Sequence, residues 1–222
     1  MTKIDFKKEF KHLYQPTSKE FQVVEVPPMQ YLMLNGRGDP NTAQEYQDAI
    51  EALYAVAYKV KFTSKKALGK DYVVPPLEGL WGSPEMVHSL EGITDERKWL
   101  EQFKASDRDS WQWTVMIMQP DWVTQEMFSQ AFEEVRKSKN PVALDKLRLE
   151  SYPEGLSVQI LHIGPYADEG PILAKLHTKF LPENGYVEAG QHHEIYLSDP
   201  RKTAPEKLKT ILRQPVEKIA GE

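Results

Sequence analysis

Apolar and polar residues alternate between His192 and Leu197, which is the two-residue period of a β-strand. Ile195 and Leu197 point to one face of this predicted strand, whereas His192, Glu194 and Tyr196 point to the other. If the Ile195 side packs on helices, the opposite face carries an acid and a phenol side by side. That face is either a site for a small organic molecule or a solvated surface, since antiparallel sheets often leave one side in water.

Two earlier segments each predict a pair of strands around a turn. Residues 21–36 contain the turn Pro27-Pro28, and residues 147–164 contain the turn Pro153-Glu154-Gly155. A loop marked by glycine follows each pair. Helices are predicted next, over 43–60 and 170–181, because apolar residues recur there every three or four positions.

Strands are predicted again after each helix. They cover 71–81 and 111–118 in the first half, and 186–189 and 192–198 in the second. A proline follows the last strand of each half, and we expect a helical return after both. Thr124 precedes one such helix, and the capping-box spacing from Thr203 to Glu206 predicts the other. Aligning Pro120 with Pro200 on this basis places Thr114 opposite Glu194.

The shared order of elements predicts an internal duplication around a pseudo-two-fold axis. We expect one domain over 1–222, with repeat one at about 20–138 and repeat two at about 146–217. An insertion, 82–110, divides the third and fourth strands of repeat one. It is either a lid over a cleft or a covering element with no ligand role.

Composition narrows the class of protein. The 222 residues contain no cysteine, which excludes disulfides, thiolate nucleophiles and thiolate metal sites. There is no signal-peptide pattern and no apolar run long enough to span a membrane, so we expect a soluble cytoplasmic protein without a membrane partner. The net charge of −5 disfavours direct nucleic acid binding. Neutral or cationic small molecules are easier partners to accommodate.

Aromatic residues cluster near the predicted strand ends. They could stack a flat ligand and hold a cation against their rings, or they could belong to the core. The set comprises Trp81, Trp111, Trp113, Trp122, Tyr166 and Tyr196. Glu78, between a proline pair and Gly79, is either an edge-strand charge or a second acid that lines the cleft.

Other chemistries find little support in the sequence. His192 and His193 are adjacent on a strand and point to opposite faces, so we expect no metal site from them. The loop Gly36-Arg37-Gly38 lacks the continuation of a phosphate-binding motif, and there is no GxSxG serine motif. We therefore expect no cofactor.

Several motifs in order resemble one known family over nearly the full chain. They are KEFKHLYQPTSKEF, VVEVPPMQYLMLNGRGDPN, DYVVPPLEGLWG, WQWTVMIMQPD, LHIGPYADEGP and HHEIYLSDPRKTAPEKLKTILRQPV. The chain resembles the GyrI-like small-molecule-binding family, which is similar in fold to the effector domain of BmrR-type multidrug regulators. The resemblance implies an α+β fold of duplicated βαββ repeats. It also implies a central antiparallel sheet with helices on one face and a ligand cleft between the halves.

The resemblance also implies a function for the cleft. Its ligands would be bulky aromatic or cationic molecules, and Glu194 in HHEIYL matches the acidic residue of the family. Three functions remain open: hydrolysis of electrophilic cyclopropane-bearing genotoxins, which would make the protein a detoxifying enzyme; non-catalytic drug binding or sensing; and modulation of DNA gyrase. The chain departs from the expected pattern at Gly82, where a second aromatic residue would follow Trp81.

A mechanism can be stated from these residues. Trp81 and either Trp111 or Trp113 would stack the ligand, and Glu194 would pair with a cation or take a proton from water. Tyr196 would donate a hydrogen bond to the carbonyl that gains charge. The remaining candidates for ligand contact are Glu78, Tyr166 and His192.

Overall fold

The computed structural model describes residues 3–219, and its centre is one nine-stranded antiparallel sheet. The strands are β1 (Gln22–Val26), β2 (Met29–Arg37), β3 (Leu77–Gly82), β4 (Gln112–Gln119), β5 (Arg148–Tyr152), β6 (Gly155–Ile163), β7 (Tyr186–Glu188), β8 (His192–Tyr196) and β9 (Lys209–Lys218). Their order in the sheet is β1-β6-β9-β8-β3-β4-β2-β5, and β7 pairs separately with β9. The predicted α+β class with a large antiparallel sheet is confirmed.

Eight α-helical segments accompany the sheet in the described part of the chain. They are α1 (Phe6–Glu9), α2 (Lys11–Tyr14), α3 (Gln44–Leu68), α4 (Pro84–Leu90), α5 (Glu96–Lys104), α6 (Gln125–Ser138), α7 (Gly170–Lys175) and α8 (Leu181–Glu183). A π-helical turn, Leu176–Phe180, joins α7 to α8. Helix α3 runs beyond its predicted end to Gly69, which has the left-handed conformation of a C-terminal cap (φ 66°). Within 3–219, no helix has the length and apolar character needed to cross a bilayer.

The two predicted strand pairs exist, but their members do not pair with each other. Strand β1 pairs with β6, and β2 pairs with β5 and β4. The two members of each pair lie near opposite ends of the strand order. Each proline-marked turn therefore connects the two ends of the sheet and does not close a hairpin. As a result, the two halves of the chain supply each other's neighbouring strands at both ends of the sheet.

The predicted helical return in the second half is wrong. The capping-box residues Thr203 to Glu206 lead only into a single 3-10 turn, Pro205–Lys207, and β9 follows. The alignment of Pro120 with Pro200 loses its support for the same reason, since Pro120 precedes α6 whereas Pro200 precedes only this 3-10 turn. In the sheet, Glu194 is paired with Gly79 of β3 on one side and with Leu212 of β9 on the other.

Helices cover both faces of the sheet, which corrects the expectation that they lie on one. Helices α3 and α6 pack on one face against alternate residues of β2 and β4, such as Leu32 and Val115. The short α1 and α2 pack on the opposite face, where Leu13 contacts the core that contains Met116 and Ile195. The face of β3 and β8 that points away from α1 and α2 lies between α3 and α7.

Candidate functional site

A groove with a cavity volume of about 2430 Å³ lies over β3 and β8. Helix α3 forms one wall, and the loop before α7 forms the other. Residues of the insertion, among them Met86, Trp99 and Phe103, complete the lining. The volume exceeds the 300–1,000 Å³ that is usual for a ligand pocket, so the groove can admit a bulky molecule.

Glu194 and Tyr196 lie together on the groove face, as the alternation predicts. The Tyr196 hydroxyl donates a hydrogen bond to Glu194 Oε2 (2.7 Å) and accepts one from Trp81 Nε1 (3.0 Å). Burial raises the pKa of Glu194 to about 7, and the hydrogen bond from Tyr196 opposes this rise. Burial and the neighbouring Glu194 raise the pKa of Tyr196 well above its usual value. At neutral pH the Glu194 carboxyl can therefore either hold or release a proton.

His192 lies beside this carboxyl on the same face of β8. Its Nε2 is 3.7 Å from Glu194 Oε1. Burial lowers the pKa of His192 to about 3, so the contact joins a neutral imidazole to the carboxyl and is not an ion pair. Both ring nitrogens are buried and have no hydrogen-bond partner in the described structure. Both ring nitrogens are thus available for hydrogen bonds with a ligand.

The predicted aromatic set separates into groove residues and core residues. Trp81 contacts Trp111 edge-to-face (ring centroids 6.2 Å apart), and Tyr166 contacts Tyr196 similarly (5.6 Å). These four side chains line the groove. Trp113 does not, because it is only 1% exposed, under Tyr46 and against Gly36.

Trp122 also lies away from the groove. Its Nε1 donates to Ser64 Oγ (3.0 Å), and its ring packs against Phe6 and Tyr72. Trp122 and Trp113 are therefore core residues.

The structure places Glu78 on the opposite face of the sheet from Glu194, and neither interpretation of it from the sequence is correct. The Tyr14 hydroxyl donates to Glu78 Oε1 (2.9 Å), and His193 Nε2 lies 3.0 Å from Glu78 Oε2. The side chain is fully buried. Glu78 is thus neither an edge charge nor a lining residue of the groove.

A buried ionic network surrounds His193 directly behind the site. His193 Nδ1 is 2.8 Å from Glu154 Oε1, and Glu154 Oε2 accepts from Arg213 Nη1 (3.0 Å). These carboxylates raise the pKa of His193 to about 9 against the opposing effect of burial. His193 and Arg213 outweigh the burial of Glu154, whose pKa they lower to about 2. Arg213 Nη2 also donates to Leu13 O (2.8 Å), so the network fastens α2 beneath β8.

Glu169 is a groove residue that the sequence analysis missed. It is 5% exposed, and its Oε1 has no hydrogen-bond partner within 3–219. Burial, and then the nearby Glu194, raises the pKa of Glu169 to about 10. It lies in a loop without a periodic pattern, so the only signal for it was its place in the motif LHIGPYADEGP. Tyr46, one of the recurring positions that predicted the helix over 43–60, lines the groove as well.

The insertion forms part of the groove wall. Trp99 of α5 stacks on His177 (centroids 5.1 Å apart, planes 10° apart) and on Phe103 (5.2 Å, 14°). His177 Nδ1 in turn contacts Glu188 Oε1 (2.6 Å). The insertion is therefore anchored to the second half of the chain across the groove.

Metal chemistry has no candidate site in the residues that the structure describes. No group of three or more His, Asp or Glu side chains there is arranged to hold an ion.

Similar structures come from Listeria innocua. An uncharacterized conserved protein from that organism is 43% identical, with a TM-score of 0.82, and the match covers 97% of this chain and 100% of the other. A hydrolase from the same organism is 41% identical, with a TM-score of 0.78 and the same coverage. The EcmrR C-terminal domain shares the fold alone, at 13% identity and a TM-score of 0.53, over 90% of this chain and 98% of that domain.

No curated protein matches the chain. The family model of the GyrI-like small molecule binding domain matches residues 19–217. That match covers most of the chain and nearly all of the residues that line the groove. The chain belongs to the family of GyrI-like small molecule binding domains.

Proposed function

We propose that the groove binds a bulky aromatic electrophile and hydrolyses it by opening a strained cyclopropane ring, with Glu194 as the general base. The observation that carries this proposal is the Glu194 carboxyl, which lies on the floor of an aromatic groove, is only 16% exposed and has a pKa of about 7. A base is most effective when its pKa lies near the working pH. Trp81, Trp111 and Tyr166 supply flat surfaces for the ligand.

The reaction balances with water as the only co-substrate. A water oxygen bonds to the strained ring carbon while Glu194 takes a proton from that water. The ring carbon–carbon bond breaks, and its electron pair moves to a conjugated carbonyl oxygen, which then takes up a proton. Tyr196 has one hydroxyl proton and donates it to Glu194, so its role is to orient the base.

The similarity to a hydrolase supports an enzymatic reading. That protein is 41% identical and aligns over 97% of this chain. Such similarity is compatible with shared chemistry, whereas the bond that is cleaved is suggested only by the family resemblance of the sequence. The strained electrophile is therefore our choice of substrate class, and it is the point that the experiment addresses.

The test is incubation of purified protein with a cyclopropane-bearing conjugated ketone, followed by mass spectrometry for the gain of one water. Wild type should convert many equivalents. Glu194→Gln should still bind the compound, as tryptophan fluorescence would report, but its turnover should fall ~10²- to 10⁴-fold, the usual effect of losing a general base. Glu20→Gln is the control, because Glu20 is an exposed acid outside the groove. Equal turnover by wild type and Glu194→Gln would refute the role of Glu194.

Binding without catalysis is the second candidate function. A carboxylate enclosed by Trp81, Tyr166 and Tyr196 is also suited to an aromatic cation. In that case wild type would form no product. Glu194→Gln would weaken a cationic ligand by ~1.5–3 kcal/mol, the value of a charged hydrogen bond, and would leave a neutral analogue unaffected.

We also infer that the chain is a duplication, with repeats at about 20–138 and 146–217. The strand order supports this: exchanging β1 with β5, β2 with β6, β3 with β8 and β4 with β9 reproduces the same order in reverse. The groove then lies across the pseudo-two-fold axis, between β3 and β8. Such a site combines one wall from each repeat, which explains why a single half could not form it.

A further inference from the structure

A second carboxyl lies in the groove beside Glu194 and has no role in the chemistry described so far. Glu169 is the last residue before α7 and follows a 3-10 turn, Tyr166–Asp168. Residues three apart on such a turn share one side, so Glu169 projects on the side of Tyr166. The Tyr166 ring contacts Tyr196, whose hydroxyl is bonded to Glu194. Both carboxyls line the groove, and Glu194 is the charged neighbour that acts on Glu169.

The surroundings of Glu169 favour its neutral form. Glu194 and Tyr196 of β8 and Tyr166 of its own turn interact electrostatically with it, and the Thr210 hydroxyl of β9 opposes the rise of its pKa without cancelling it. In the part of the chain that the structure describes, no lysine, arginine or histidine forms an ion pair with it. Its Oε1 is buried and unpartnered. A carboxylate in that position would be a buried charge without a counter-charge, whereas a carboxylic acid has a proton to donate.

We propose that Glu169 is the general acid of the reaction, which protonates the substrate oxygen as Glu194 deprotonates the attacking water. The inference rests on the proposed function and adds to it the group that protonates the carbonyl oxygen when the ring opens. Tyr196 is less suited to this role, because its proton is already donated to Glu194 Oε2. Two carboxyls in environments that separate their protonation states are a recurring acid–base arrangement.

The proton balance closes after each turnover. Ring opening leaves Glu169 ionised and Glu194 protonated, while the product carries the hydroxyl from water and the proton from Glu169. A proton must then return from Glu194 to Glu169. The Tyr196 hydroxyl, which is bonded to Glu194, or solvent in the groove can carry it.

The decisive variant is Glu169→Gln, which preserves size and neutrality but cannot transfer a proton. We expect kcat to fall ~100-fold or more while KM changes less than ~3-fold, as is typical of general acids. In wild type, turnover should rise as Glu194 ionises near pH 7 and fall as Glu169 ionises near pH 10. The decrease of turnover at high pH should be absent in Glu169→Gln and partly present in Glu169→Asp. Unchanged kcat in Glu169→Gln, or a retained high-pH fall, would overturn the inference.

A measurement without turnover gives an independent readout. Between the two pKa values, infrared spectroscopy of the wild-type protein should show the C=O stretch of one buried protonated carboxyl, and Glu169→Gln should lack it. Equal spectra for both proteins would refute the neutral acid. If wild type adds no water to any strained electrophile, the proposed function fails. If wild type turns over and Glu169→Gln matches it, only the role of Glu169 fails.

Discussion

The buried network behind β8 predicts a specific dependence of stability on pH. His193 is fully buried between Glu78 and Glu154, and its pKa is raised from 6.5 to about 9. At 1.36 kcal/mol per pKa unit, this rise corresponds to about 3 kcal/mol of folding free energy. The lowered pKa of Glu154 describes the same ion pairs, so the two effects are not added.

The sign follows from the direction of the shift. Folded His193 binds its proton more tightly than unfolded His193, so the stabilisation is complete below about pH 6.5. It is lost as the pH rises through about 9. The variant His193→Gln lacks the charge and faces two carboxylates without a cation between them. It should therefore be about 3–5 kcal/mol less stable than wild type at pH 6, the usual effect of breaking a buried ion pair.

The assay is urea unfolding followed by tryptophan fluorescence at a series of pH values. Glu169 and Glu194 also lower stability as pH rises, because their folded pKa values are raised. The informative quantity is therefore the difference between wild type and His193→Gln, which should shrink by about 3 kcal/mol between pH 6 and pH 10. His88→Gln, at an exposed histidine, should behave as wild type throughout. A wild-type-to-His193→Gln difference that stays constant with pH would refute the protonated His193.

Two further predictions concern the groove. Tyr196→Phe removes the hydrogen bond that lowers the pKa of Glu194, so the rise of turnover with pH should move to higher pH, and turnover at neutral pH should fall ~10- to 100-fold; a pH–rate profile that does not move would contradict this. Trp99→Leu removes the stacks on His177 and Phe103, which should cost ~2–3 kcal/mol and speed amide hydrogen exchange in α4 and α5. Unchanged exchange there would show that these stacks do not anchor the insertion.

Alternation and helical periodicity predicted much of the fold. The faces of His192, Glu194 and Tyr196 followed from the strand period, α3 followed from apolar spacing, and α6 followed from Pro120 and Thr124. Strand β9 was missed because Thr203 to Glu206 has the local pattern of a helix start, whereas pairing with β6 and β8 decides the conformation of Lys209–Lys218. Local patterns carry no information about such distant partners.

The site was predicted less completely, for two physical reasons. Glu78 was assigned to the wrong face because its strand is short and marked by prolines, and a shift of one residue reverses every side chain. Glu169 lies in an irregular loop, where burial has no periodic signature. Its proposed role depends on Tyr166 and Glu194, which only the folded chain brings near it.

The position of β9 in the sheet has a consequence for synthesis on the ribosome. This strand joins β6 to β8, and in its absence β1 and β6 would be separated from the remaining main strands. Arg213 of β9 also bonds the backbone of Leu13, 200 residues earlier in the chain. The sheet therefore cannot be completed until Lys209–Lys218 emerges from the ribosome. Until then, edges of the earlier strands remain unpaired. The nascent chain should accordingly depend on holdase chaperones more than a protein of similar size with local strand pairing.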